Sequence, residues 1–144
     1  MRTKKQILIC FLYISDSKEI VSTGTGELLI EIDGFKNYNG YIQLNLFNTE
    51  QGFPDSDESA LKKLRVKVIN GENSLSIPNL SFGSYAISVY HDQNSNGKMD
   101  TNFFGIPKEP VGISNNVSGG SVPDFQDAKF ELNVTKKVVK IHLM

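Results

Sequence analysis

One cysteine and two histidines stand among the 144 residues. Cys10 alone cannot form an intramolecular disulfide, and it makes no zinc-type cluster with His91 and His142. Excess charge is missing as well, with 15 Lys+Arg against 16 Asp+Glu and a formal net charge of −1. A nucleic-acid binder needs a basic stripe to displace counterions. The longest basic clusters, Arg2–Lys5 and Lys62-Lys63, are too small for that, so nucleic acid is not an expected partner. No apolar run approaches the roughly 20 residues of a spanning helix. The chain also has no P-loop, no nucleophile elbow, no internal repeat and no low-complexity tract. What is left is ordinary globular composition, 39% hydrophobic and 22% charged.

The first 17 residues read differently from the rest. A basic start (Arg2, Lys4, Lys5) precedes an unbroken apolar run from Ile7 to Ile14, and Ser15-Asp16-Ser17 supplies small residues for a peptidase. That order is the pattern of a secretory signal. The expected organisation is therefore a signal peptide over 1–17 and one domain over 18–144, periplasmic or secreted. A first β-strand is the competing reading of the same run. The segment carries three basic residues and one acid, so its removal takes the formal charge from −1 to −3 and also takes Cys10. A domain without cysteine must hold together by packing, or by packing plus an ion.

Beyond it, apolar residues alternate with period two in seven segments: Leu28/Ile30/Ile32, Ile42/Leu44/Leu46, Leu64/Val66/Val68, Leu75/Ile77, Tyr85/Ile87/Val89, Phe130/Leu132/Val134 and Val139/Ile141/Leu143. Each predicts a strand with one buried face. Antiparallel sheets packed face to face satisfy that pattern, so the expected fold is an all-β, antiparallel, seven-stranded Greek-key β-sandwich. Asn70-Gly71 predicts a tight hairpin between the third and fourth strands. Residues 56–63 predict one short connecting helix, with acids at its start and Lys62-Lys63 at its end. Leu80, Gly83 and Tyr85 have the spacing of a tyrosine corner, in which the phenol bonds back to upstream backbone. An ordinary core tyrosine after a glycine turn fits the same residues.

The most informative stretch is Asp92-Gln93-Asn94-Ser95-Asn96-Gly97-Lys98-Met99-Asp100. Oxygen-bearing side chains fall at loop positions 1, 3, 5 and 9, with glycine at 6, which is the spacing of a calcium loop. Asp92, Asn94 and Asn96 would converge on the ion. The Lys98 carbonyl would supply the seventh position, and Asp100 would bind directly or through water. Position 12 departs from the pattern, because Phe103 stands where a bidentate glutamate belongs. Glu109, Asp124 and Asp127 are candidates for the missing carboxylate, Glu109 being nearest in the chain. A metal-free turn rich in Asp, Asn and Gly accounts for the same residues.

Residues 101–125 have no period but include Phe103, Phe104, Ile106, Val111 and Ile113, which predicts a long, ordered, packed loop. The stretch is either a binding surface beside the ion loop or a cover for one sheet edge.

From Tyr85 to Asn116, YAISVYHDQNSNGKMDTNFFGIPKEPVGISNN closely resembles the bacterial family named domain of unknown function twenty-one forty-one. Gly34, Leu46-Phe47 and Phe125-Asp127-Ala128-Lys129-Phe130 extend the resemblance over about residues 26–143. It implies a small exported protein of the bacterial envelope with a transthyretin-like or prealbumin-like sandwich, and no established activity. Likeness of fold does not give function.

Three function classes follow. The first is a non-catalytic module stabilised by one calcium ion, with an envelope protein or glycan as partner. The second is a carbohydrate- or peptide-binding module using Tyr38, Tyr41, Phe47, Phe53 and Tyr90. The third is a hydrolase, for which His91, Asp92 and Ser114 can be sketched together. Adjacent strand residues point to opposite faces, so His91 and Asp92 lack triad geometry. A strand-end hydrogen bond suits His91 better. A glycosidase-type carboxylate pair stays open, because spacing in the chain does not give distance in space.

Overall fold

A computed structural model describes residues 23–144 apart from Gly120. The expected signal segment 1–17, including Cys10, lies outside the described residues. Eight strands run in the order β1 (Thr25–Asp33), β2 (Tyr41–Phe47), β3 (Lys62–Lys67), β4 (Ser74–Ser81), β5 (Gly83–Asp92), β6 (Val111–Ile113), β7 (Phe130–Leu132) and β8 (Lys136–His142). A 3-10 turn, Ser114–Asn116, follows β6, and a one-turn helix α1, Phe125–Ala128, precedes β7.

The strands form two sheets, as the alternation predicts. One has the order β4-β1-β8; the other has the order β3-β2-β5-β6, with β7 paired to the start of β5. Leu28, Ile30 and Ile32 of β1 face Ile42, Leu44 and Leu46 of β2 and Tyr85, Ile87 and Val89 of β5 within one core. Val68, Ile77, Leu80, Phe130, Leu132, Val139, Ile141 and Leu143 complete it.

Four expectations need correcting. Among the described residues the strands number eight, because β6 has three residues and is too short to show a period. The sheets are not wholly antiparallel, since β1 and β8 run parallel from Glu27↔Lys136 to Asp33↔His142. Asn70-Gly71 forms a turn, with Gly71 at φ 85° and a bridge between Ile69 and Glu72, yet the flanking strands do not pair. Instead β3 pairs with β2 and β4 with β1, so this turn passes the chain from one sheet to the other. Finally, residues 56–63 are not helical: a run of turns leads directly into β3 at Lys62. Asn45 Nδ2 donates to Asp57 at 2.7 Å and the Ser88 hydroxyl donates to the Pro54 carbonyl at 2.6 Å, which hold this segment on the outer face of the second sheet.

That outer face carries a second, smaller core. Phe47 and Ala86 point away from the main core and pack with Ile113, Phe125 and Ala128. Phe53 joins edge-on between Phe47 and Phe125, with ring centroids 5.2 and 5.9 Å away. Phe47 and Phe53 are packing groups and not an exposed ligand patch.

The hydroxyl of Tyr85 donates to the Ser81 carbonyl at 2.5 Å, closing the bend between β4 and β5 as a tyrosine corner would. Beside it, Ser114-Asn115-Asn116 acts as a polar clip. Asn115 and Asn116 take left-handed φ values of 61° and 51°. Asn115 donates to the Asp127 and Lys129 carbonyls, and Asn116 Oδ1 accepts the His142 N–H at 2.9 Å. The clip joins β6, α1 and β8, and nothing in its hydrophobicity pattern announces it.

Candidate functional site

The loop begins where β5 ends. Asp92, the last residue of β5, is fully buried and pairs with Tyr41 at the start of β2. Gly40 lies against it at φ 69°, where a Cβ would stand 1.9 Å from the Asp92 carbonyl oxygen. Only glycine permits that approach. Beyond Asp92 the chain makes a long excursion and returns as β6, antiparallel to β5 from Tyr90↔Val111 to Ser88↔Ile113. The His91 N–H donates to the Pro110 carbonyl at 2.9 Å. This return brings Glu109 beside Gln93, whose N–H donates to Glu109 Oε2 at 3.2 Å.

Within the loop, the side-chain oxygens at positions 1, 3 and 5 accept backbone N–H groups. Asp92 accepts the Asn96 N–H at 3.2 Å and the Gly97 N–H at 2.8 Å. Asn94 Oδ1 accepts the Asn96 N–H at 3.3 Å, and Asn96 Oδ1 accepts the Lys98 N–H at 2.9 Å. Ser95 and Gly97 have φ values of 59° and 77°, which tighten the winding. The amide nitrogens of Asn94 and Asn96 donate to the two oxygens of Asp100 at 2.5 and 2.8 Å.

Glu109 is the residue this network leaves unsatisfied. It is only 7% exposed, and its Oε1 has no hydrogen-bond partner among the described residues. Its neighbour is the carboxylate of Asp100, which cannot donate. When Glu109 is protonated it can donate to Asp100. Burial first, then that hydrogen bond, push the Glu109 carboxyl up to about 7, and the charges of Asp100 and Asp92 add to it. Asp100 moves the other way. Hydrogen bonds from Glu109, Asn96 and Asn94 hold its carboxyl below the usual range. Gln93, Asn94, Asp100, Thr101, Lys108 and Glu109 line an open cavity of about 460 Å³ here.

The donor set is all oxygen, which suits a hard cation and not zinc. No group of three or more His, Cys, Asp or Glu side chains among the described residues has the arrangement of a metal centre. The geometry accounts for this: Asp92 is turned towards backbone N–H groups, and the Asn94 and Asn96 amide nitrogens occupy the oxygens of Asp100. Asp124, another candidate carboxylate, is occupied as the cap of α1, accepting the Gln126 N–H at 3.2 Å.

The sketched triad does not assemble. Ser114 Oγ is buried, donates to the Ala128 carbonyl at 2.6 Å and accepts the Ile87 N–H at 2.9 Å. Its proton is committed to a backbone oxygen. His91 is wholly buried, lies edge-on to Phe35 with centroids 5.5 Å apart, and bonds through Nε2 to the Asn39 carbonyl at 2.5 Å.

A second concavity, of about 240 Å³, lies on the outer face of the second sheet among Gln43, Asn45, Asp57, Arg65 and Tyr90. The Arg65 guanidinium sits 3.6 Å above the Tyr41 ring and 4.0 Å from Asp92 Oδ2. Burial, followed by the charges of Asp92, Asp57 and Glu109, pushes the Tyr90 phenol up to about 12, and Arg65 opposes them.

The model of the family described as uncharacterised proteins conserved in bacteria, DUF2141, matches residues 30–141, and the chain belongs to that family. No curated protein and no solved structure matches it.

Proposed function

We propose that this DUF2141 domain is a non-catalytic module of the bacterial cell envelope whose 92–100 loop closes on one calcium ion. Asp92, Asn94, Asn96, the Lys98 carbonyl and Asp100 would be its ligands, with Glu109 supplying the carboxylate that Phe103 cannot. The observation that carries this reading is the buried, donorless Oε1 of Glu109 beside Asp100. Two facing carboxyl groups need a proton or a cation between them, and above the titration of Glu109 the proton is gone. The Asn94 and Asn96 amides would turn their oxygens inward as the ion replaces them at Asp100.

Thermal unfolding tests this. An ion that binds only the folded state adds RT ln(1 + [L]/Kd), about 2.7 kcal/mol at a hundredfold excess over Kd. The melting temperature should rise with Ca²⁺, fall back with chelator, and respond less to Mg²⁺, which demands tighter octahedral geometry. No shift at millimolar Ca²⁺ would return the loop to an ion-free Asx-rich turn. The envelope location rests on the signal pattern of residues 1–17 and is checked by sequencing the N-terminus of protein from the native host. An intact Met1–Ser17 segment on cytoplasmic protein would refute export.

A glycan-binding reading has one observation in its favour, the amide-, arginine- and tyrosine-lined hollow around Tyr90. Tyr90→Ala should then abolish retention on whichever polysaccharide the parent binds. A parent that binds none on a broad glycan panel removes this reading.

A further inference from the structure

The tip of the excursion displays apolar side chains that the fold leaves unused. Phe103 is 97% exposed and Phe104 82%, and Ile106 is exposed beside them. The two rings contact only edge to face, with centroids 5.5 Å apart. This reverses the expectation of a packed loop, for a local reason: the backbone around Asn102 is a closed hairpin. Thr101 bridges Pro107, and the Lys108 N–H donates to the Asp100 carbonyl at 2.8 Å. Asn102 exchanges backbone bonds with Ile106 and Gly105, while its Oδ1 accepts the Phe104 and Ile106 N–H groups at 2.9 and 3.0 Å.

We infer that this tip docks into the interfacial layer of an anionic phospholipid bilayer, with Phe103, Phe104 and Ile106 entering the acyl boundary and Lys98 and Lys108 meeting the headgroups. Three observations favour a bilayer over a protein. The tip offers about 500 Å² of apolar side chain at most, well short of the roughly 800 Å² per partner of a stable protein interface. Its rings stand almost wholly exposed, so a fluid surface can receive them without a matching groove. The N–H groups of residues 102, 104, 105, 106 and 108 are already bonded within the hairpin. That meets most of the demand of an apolar phase on buried N–H groups, the Phe103 N–H excepted, and leaves few donors for a partner strand. Lys108 lines the cavity at the base and Lys98 is exposed in the adjoining loop; long side chains of this kind reach phosphates while their stems lie along apolar surface.

The base also holds Asp92, Asp100 and Glu109, whose negative charge opposes an anionic surface. A divalent ion there would cut these three negative charges to one, which Lys98 and Lys108 outweigh, so docking should strengthen with Ca²⁺. That dependence, unlike the docking itself, rests on the calcium reading above.

The chain has no tryptophan, so Phe103→Trp places a single reporter at the tip. Any contribution of the Ile7–Ile14 run to vesicle binding leaves its emission silent. Phosphatidylglycerol vesicles should shift this emission to the blue, and brominated acyl chains should quench it. Pure phosphatidylcholine should do much less. Adding Phe104→Ser should lower the partition coefficient about tenfold, the loss of one largely buried ring, at an unchanged melting temperature. Emission that stays water-exposed at millimolar phosphatidylglycerol overturns the inference, whatever calcium does to the melting temperature. A blue shift that appears without lipid and grows with protein concentration also overturns it, in favour of a second copy. Equal insertion with Ca²⁺ and with chelator supports the docking and counts against the calcium reading alone.

Discussion

Tyr85 shows how much one side chain can settle. Its ring belongs to the main core, while its hydroxyl reaches back four residues to Ser81. Burial pushes the phenol's pKa up, as expected for a group held neutral. Tyr85→Phe keeps the ring and removes the bond, leaving the Ser81 carbonyl to solvent. The expected cost is about 0.5–1.5 kcal/mol in urea unfolding, the net worth of one such hydrogen bond. A phenylalanine variant as stable as the parent would mean that the ring alone matters. Gly40 works by absence. A side chain there would collide with the Asp92 carbonyl, so the residue that opens the site from below contributes no functional group at all.

At the level of elements, the loop depends on Asp92 more than on any other side chain. Asp92→Ala removes the acceptor for two backbone N–H groups in the loop's tightest part, and with it the proposed first ligand. The melting temperature of this variant should no longer respond to Ca²⁺. Asp100→Ala should keep a reduced response, because Asp100 is held by amide donors at the open side. Equal responses from both variants would contradict that ranking. The strands were readable because a half-buried strand prints its faces on the sequence with period two. Leu28, Ile30 and Ile32 are all essentially inaccessible, and so are Leu44, Leu46 and Ile87. The loop was readable for a related reason, since alternate oxygens and a glycine are dictated by local winding. Other features depend on long-range pairing and leave no period. The Asn70-Gly71 turn has hairpin chemistry, but its strands are claimed by β1 and β2. Residues 56–63 have helix-like charges, yet Lys62 and Lys63 are drawn into β3 by pairing with Leu46 and Asn45. The alternation at Val66 also misleads, because this edge strand leaves it exposed. Phe103 and Phe104 read as core by composition; only the hairpin closed by Asn102 turns them outward.

The whole molecule should register the state of Glu109 through its stability. In an unfolded chain this carboxyl titrates near 4.5, whereas in the fold it titrates at about 7. Between those values the native state therefore binds more proton than the unfolded state, and stability falls as pH rises. The contribution of the protonated pair is full below about 4.5 and is lost as pH passes about 7. Asp100 has the opposite sign. Its carboxyl is held low, so its contribution is present above its unfolded value and disappears only in stronger acid. Without divalent ions, urea midpoints should consequently decline from pH 5 to pH 8, and Glu109→Gln should flatten that decline. Calcium should act in the reverse direction. It competes with the Glu109 proton for the same two carboxyl groups, so its stabilisation should be small at pH 5 and grow towards pH 8. Glu109→Gln then separates the two effects, since it removes the titrating group while keeping its size. A decline in that variant matching the parent's would assign the pH dependence to another group, and a calcium response identical to the parent's would remove Glu109 from the ligand set.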